Sequence, residues 1–452
     1  MNLAILLLVA ALSHSAYLYA EEAPHAPALA DSHWSIAHAS TWNSDYTSNL
    51  GPASGKDAVP QFLVNGNNVS DIKNILAAAD PITLVQSSVA GYTWGSSISS
   101  VFQLKTDDNG VSIINTFFRD YNFEYHGAYS LLAHDGTYYA ATKTSIQAYN
   151  NEVPLDFSTP IVLVKEYTFD FSLENGEHLV GLTITHDAPE SAFLIVATSF
   201  GQVAGVSLDF TKATNVVRIP GIENVDVPDH FVSNSIACDG SKGGIYVVTS
   251  YSLARIQWTA RTRKLTLDWN TPYGTGKDQW YWGRLGPGSG TSPTIVGPQG
   301  EPEFVVINDG LTPTNILFFS AKSGALVGKK AVTFGADEAS AKTTTDQSIV
   351  VKGYKAVVVN NWVAESVTPF CSEWFASLNV TESLKHECPF IFGAFVTGVE
   401  QFEINPLSKQ VKSVWANDKV SCTSSIPVVT DDDVLYCLGK RERKLKRCGF
   451  PS

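Results

Sequence analysis

Apolar residues along this chain recur in short alternating or β-branched runs broken by small polar turns, and Ser233–Trp258 displays the unit in full. A short apolar strand over Ser235–Cys238 meets an Asp239–Gly240 turn. The β-branched run Ile245–Thr249 follows, then the alternating run Leu253–Trp258, and after the turn Thr259–Arg263 a fourth strand at Lys264–Trp269. Four antiparallel strands in succession predict one blade of a β-propeller.

The innermost-strand pattern starts again at Ser130, Gly181, Ser235, Ser292, Ser348 and Ser425, at intervals of 51, 54, 57, 56 and 77 residues. The longest interval holds an insertion, 361–395. Outer strand pairs repeat in step, at Ile146–Tyr167, Ala204–Ile219, Leu253–Trp269, Asn315–Val332 and Gly398–Trp415. A sixth pair, Val101–Phe118, precedes the first inner strand and is expected to complete the last repeat and clasp the ring shut, removing exposed edges. The reading is an all-β, six-bladed propeller over 81–452. Seven blades is the alternative, if Pro81–Phe118 and the tail form separate sheets. Residues 21–80 are polar, rich in Ala, Ser and Asn, and read as an N-terminal extension packed over the domain, with one short helix at Val69–Ala79.

With 44% hydrophobic and only 17% charged residues among 452, the chain is an ordered globular protein and not a disordered one. A net charge of −13 disfavours nucleic acid or an anionic membrane as a partner. The basic run Lys440–Arg447 is the exception, and reads as a solvated end or an edge strand blunted by charge. Residues 1–20 carry no charge and an apolar run, Leu3–Leu12, which reads as a secretory signal peptide too short to span a bilayer. A secreted monomer is expected. Six cysteines then suggest disulfides: proximity pairs Cys371 with Cys388 and Cys422 with Cys437, leaving Cys238 with Cys448 by elimination. Asn68 and Asn379 head glycosylation sequons compatible with that compartment.

The outer pairs at Arg255–Trp269 and Glu400–Trp415 resemble repeats of the quinoprotein-like (PQQ-like) β-propeller superfamily. The full tryptophan-docking motif and the adjacent cysteine pairs of quinone-binding members are absent, so a PQQ cofactor is not implied. The unit Ser233–Trp258 also resembles blades of the strictosidine-synthase, paraoxonase and senescence-marker-type lactonase group, whose six-bladed members hold an axial calcium by Asn, Asp and Glu side chains.

Two unusual loops map to the face where propellers usually bind. Asn270–Thr291 carries Trp280, Trp282 and Arg284, and the insertion carries Trp362; such aromatics make walls for an apolar or sugar-like ligand or pack the loops down. Oxygen ligands for calcium are sought among Asn234, Asp346, Asn308, Asp309, Asn360 and Asn361, all of which also suit turns. His126, His178 and His230 lie near inner strands, and His230 is the candidate general base. Two functions follow: a calcium-dependent hydrolase of lactonase type acting on a small apolar or cyclic ester, or a non-catalytic carbohydrate- or protein-binding propeller using the same aromatic face. No nucleophile elbow or His-Glu-x-x-His motif fixes an enzyme class.

Overall fold

The computed structural model describes residues 23–50, 83–96, 100–108, 110–119, 129–171, 177–221, 232–240, 242–276, 288–298, 301–362, 397–422, 426–438 and 445–449. They form seven four-stranded sheets. Blade I comprises Thr83–Gln86, Tyr92–Ser96, Ser100–Asp107 and Gly110–Phe118; blade II comprises Ser130–Leu132, Tyr138–Ala141, Ser145–Asn151 and Ile161–Thr168. Blade III holds Leu179–Ile184, Phe193–Thr198, Gln202–Ser207 and Val217–Arg218, and blade IV holds Ala237–Cys238, Gly244–Val248, Ser252–Thr259 and Lys264–Pro272. In blade V the strands are Thr294–Val296, Phe304–Asn308, Asn315–Ser320 and Leu326–Ala331, and in blade VI Val350–Lys352, Lys355–Val359, Val399–Ile404 and Val411–Asn417. Blade VII is built from Val428–Thr430, Val434–Leu438 and Leu445–Gly449, with Tyr46–Thr47 as a fourth strand parallel to Val428–Thr430.

The count corrects the expectation of six. The pair Val101–Phe118 does not complete the last repeat. It is the outer half of blade I, because Thr83–Gln86 and Tyr92–Ser96 supply that blade's own inner strands. Blade VII takes its outermost strand from the basic tail and is closed on its inner side by Tyr46–Thr47.

Strand sequence follows burial. The middle strand Phe193–Thr198 is buried at every position and is an apolar run up to its final threonine, whereas the outermost strand Ile161–Thr168 is largely exposed and tolerates Lys165 and Glu166. In blades I, II, IV, V and VI the two outer strands share a register shift, a bulge that increases local twist where the sheets splay. The core lies between blades: Phe193 and Ile195 of blade III pack with Ile245 and Trp258 of blade IV, and Val306 and Phe318 of blade V with Val358 and Phe402 of blade VI.

The predicted pair Cys422–Cys437 is a disulfide with Cα atoms 5.3 Å apart, joining the approach to blade VII to its second strand. Cys238 is free and buried in blade IV, so the pairing with Cys448 reached by elimination is wrong. Burial raises the Cys238 thiol to about 12, with the nearby Asp239 adding to it, so it behaves as a small apolar filler. Cys371 and Cys388, and the helix expected at 69–79, lie outside the described residues.

Candidate functional site

Propeller sites gather around the axis, and here the axis is occupied by the chain itself. Residues 26–47 run along the innermost strands, exchanging backbone hydrogen bonds with sheet after sheet. Trp34 O accepts from Gln86 of blade I; Ala30 and Ala37 N–H donate to Leu132 and Ser130 of blade II. Thr41 O accepts from Cys238 of blade IV, Trp42 O from Ile295 of blade V, Ser44 O from Val351 of blade VI and Asp45 O from Val429 of blade VII, each at 2.7–3.0 Å. Blade III is reached by a side chain, Thr41 Oγ1 lying 2.7 Å from His186 Nε2. The segment also enters the cores between blades: Leu29 and Ile36 join blades II and III, Trp42 joins IV and V, and Tyr46 joins VI and VII.

This path needs sharp turns without glycine. His38, Ala39, Asn43 and Asp45 all adopt positive φ, between 51° and 70°. Asn and Asp tolerate that region; Ala does so only under constraint from its surroundings. The constraint is a buried pair: His38 Nδ1 lies 3.1 Å from both carboxylate oxygens of Asp45, and the Asp45 N–H donates to His38 O. Burial pushes the Asp45 carboxyl above its ordinary value, outweighing the opposing pull of His38.

On its other side His38 Nε2 is 3.3 Å from Ser292 Oγ, at the approach to blade V. Ser292, His38 and Asp45 therefore have the order of nucleophile, base and orienter. Two features deny them that role. Ser292 has no exposed surface, and it is followed by Pro293, which lacks the N–H that would follow the nucleophile in an oxyanion hole. The trio instead pins the axial segment to blade V, helped by Asn43 Nδ2 donating to Pro293 O at 3.0 Å.

Tyr129 lies beside this trio, its ring 5.7 Å from that of His38, with its phenol pushed up to about 12 by burial. Its hydroxyl donates to Asn234 Oδ1 at 3.4 Å, and Asn234 Nδ2 donates to Gly290 O at 2.5 Å. Asp346 approaches the same glycine: a Cβ on residue 290 would stand 1.6 Å from Asp346 Oδ1, so only glycine fits. Asn234 and Asp346 are thus brought together.

Asn361 adjoins them through the Asp346 amide, and the remaining expected ligands, Asp309, Asn308 and Asn360, show no contact with them. Asp309 accepts from the Asn315 and Leu311 amides and from Asn315 Nδ2, which ties its own hairpin. Asn308 Nδ2 donates to Asn315 O, and Asn360 Oδ1 holds the Trp362 and Thr344 amides. Asn361 Oδ1 accepts from Thr345 Oγ1 and the Asp346 amide. Asp309, Asn308 and, toward Trp362, Asn360 hold their own hairpins and turns, whereas Asn361 bonds a separate stretch at Thr345–Asp346. Among the described residues no group of three or more His, Cys, Asp or Glu is arranged to hold a metal ion. Trp362, the last described residue at the start of the insertion, is 8% exposed. His178 sits at the start of blade III with its amide donating to Ser199 Oγ. His126, His230, Trp280, Trp282, Arg284, Asn68 and Asn379 lie outside the described residues.

Sequence reasoning missed His38, Asp45, Tyr129, Ser292 and Trp42. The available signal was the run Ser35–Asp45, whose Asn, Asp and His tolerate left-handed turns and whose Trp42 is out of place in a solvated extension.

At the other end of the axis His186 is held at about 4, chiefly by burial and then by neighbouring His25. Gly240, at φ 77°, lies against its ring and would bring a Cβ within 2.6 Å of Nδ1. The unfolded chain binds a proton near pH 6.5 while the folded chain resists until about pH 4, so stability is full above the first value and falls as pH drops between them. The expected loss is about 3 kcal/mol at most. Urea unfolding at successive pH values should show this slope, and His186→Gln should flatten it.

No family model matches the sequence. A curated protein of Archaeoglobus fulgidus, described as uncharacterized, is 31% identical over 335 residues, 70% of this chain and 59% of that protein, so the chain spans well under two thirds of its relative. Among solved structures, a europium-containing methanol dehydrogenase is similar at a TM-score of 0.48 and 11% identity, over 93% of this chain and 85% of that one. A putative 6-phosphogluconolactonase from Bacteroides uniformis is similar at a TM-score of 0.45 and 10% identity, over 74% and 85%.

Proposed function

We propose that the protein is a secreted, non-catalytic recognition propeller. The observation that carries this reading is the filled axis: residues 26–47 take the space where an axial ion and its substrate would sit, and bond the inner strands there. The Cys422–Cys437 disulfide suits an oxidising compartment. No helix among the described residues is long and apolar enough to cross a membrane.

The second reading, a calcium-assisted hydrolase, is favoured by the meeting of Asn234 and Asp346 at Gly290. The donor set does not fit. Calcium takes roughly six to eight oxygens, whereas Asn234 turns its amide N–H toward Gly290 O, Asp309, Asn308 and Asn360 hold their own hairpins and turns, and Asn361 Oδ1 is taken by Thr345 and the Asp346 amide.

Melting curves in calcium and in chelator, with a panel of lactones and esters, separate the two. The recognition reading expects identical curves and no turnover. About one calcium per chain together with chelator-sensitive hydrolysis would overturn it.

A further inference from the structure

The axial segment does not fill its own mouth. Around residues 23–48 it leaves a hollow offering about 100 Å³ to the centre of a water-sized sphere, where a single water needs on the order of 10–15 Å³. The lining is dense in hydroxyls, from Ser32, Ser35, Ser40, Ser44 and Ser48, and carries no formally charged side chain other than by protonation of His25 or His33.

The hydroxyls are oriented before any ligand arrives. Ser32 Oγ donates to Gln86 O at 2.7 Å, Ser48 Oγ lies 2.7 Å from His33 Nδ1, and Ser40 Oγ lies 3.1 Å from Ser44 Oγ. A hydroxyl has one proton and two lone pairs, so each retains capacity after its single protein partner. Fixing them in advance lowers the entropy cost of binding. Pro24, Leu29 and Ala39 add an apolar patch to the same lining.

We infer that this mouth binds a neutral polyhydroxylated ring, either a free monosaccharide or the terminal residue of a glycan. Free lone pairs on Ser32 and on the Ser40–Ser44 pair, one of which keeps its proton, match the donors and acceptors of vicinal hydroxyls, the apolar patch suits the C–H face of a sugar, and an ionic ligand finds no fixed counter-charge. The inference rests on the recognition reading and names the ligand class for it.

The test is titration calorimetry of the full chain with methyl glycosides of glucose, galactose and mannose, with a neutral oligosaccharide ending in each, and with glucose 6-phosphate. At least one neutral ring should bind, more tightly than the phosphate, with the glycoside and oligosaccharide arms telling which source is preferred. Ser48→Leu, which adds apolar bulk and removes the partner of His33, should weaken binding at least tenfold, about 1.4 kcal/mol. Its melting temperature should be unchanged, and His33→Ala serves as the second variant. Failure of every neutral saccharide to bind, or binding that both variants leave intact, overturns the inference. Undiminished saccharide binding in the variants would still leave the recognition reading standing, whereas chelator-sensitive hydrolysis would remove that reading itself.

Discussion

Trp42→Ala should lower the free energy of unfolding by about 3–5 kcal/mol, the range for removing a large aromatic from a core. Trp42 is 3% exposed and packs with Ala237 and Leu253 of blade IV and Ile295 and Val305 of blade V. Those neighbours sit in hydrogen-bonded ladders, and the Trp42 carbonyl itself receives the Ile295 amide at 3.0 Å, so they cannot collapse into the space left behind. A tryptophan in an extension lying over the domain would cost far less, since surface substitutions usually stay within about 0.5 kcal/mol. Urea unfolding distinguishes the two, and a loss below about 1 kcal/mol would remove the segment from the core.

Asp45→Ala should cost about 3–5 kcal/mol, because it breaks a buried pair and leaves the His38 ring without its partner. It also places a β-carbon with no polar compensation at φ 51°. Asp45→Asn should be much milder. Asparagine accepts positive φ and keeps an oxygen for His38 Nδ1. The asparagine variant carries a further signature. Because burial raises the Asp45 carboxyl, wild-type stability from this group is full below the ordinary carboxylate range and falls as pH rises through the raised value. Asp45→Asn lacks that dependence. Equal losses for alanine and asparagine would show that the hydrogen bond and the left-handed turn are not what Asp45 supplies.

The blades were legible because each inner strand is an apolar run and each turn carries its own punctuation. Thr142 with Ser145 and Thr249 with Ser252 repeat one hydroxyl-bonded turn in blades II and IV. The count slipped at the two ends, where that signal fades. Thr83–Gln86 and Tyr92–Ser96 are short and only partly buried, and Leu445–Gly449, sequence LKRCG, offers no apolar run to mark a strand. The axial segment left no pattern of either period. Its backbone partners are spread over six sheets, so it has no single buried face, and its turns use His, Ala, Asn and Asp where glycine would have marked them. Asn308, Asp309 and Asn360 misled for a related reason: a side chain that would ligate a cation also ties a turn, and only the partner atoms tell which.

Hydrogen exchange of the native full-length chain, followed by mass spectrometry on peptides covering 26–47, tests the filled axis most directly. The amides of Ala30, Ala37 and Asp45 should be as protected as those of Cys238, Ile295, Val351 and Val429, opening only with the inner strands that hold them. Complete exchange of 26–47 while the inner strands stay protected would contradict the account, and would reopen the axis to a metal or a substrate.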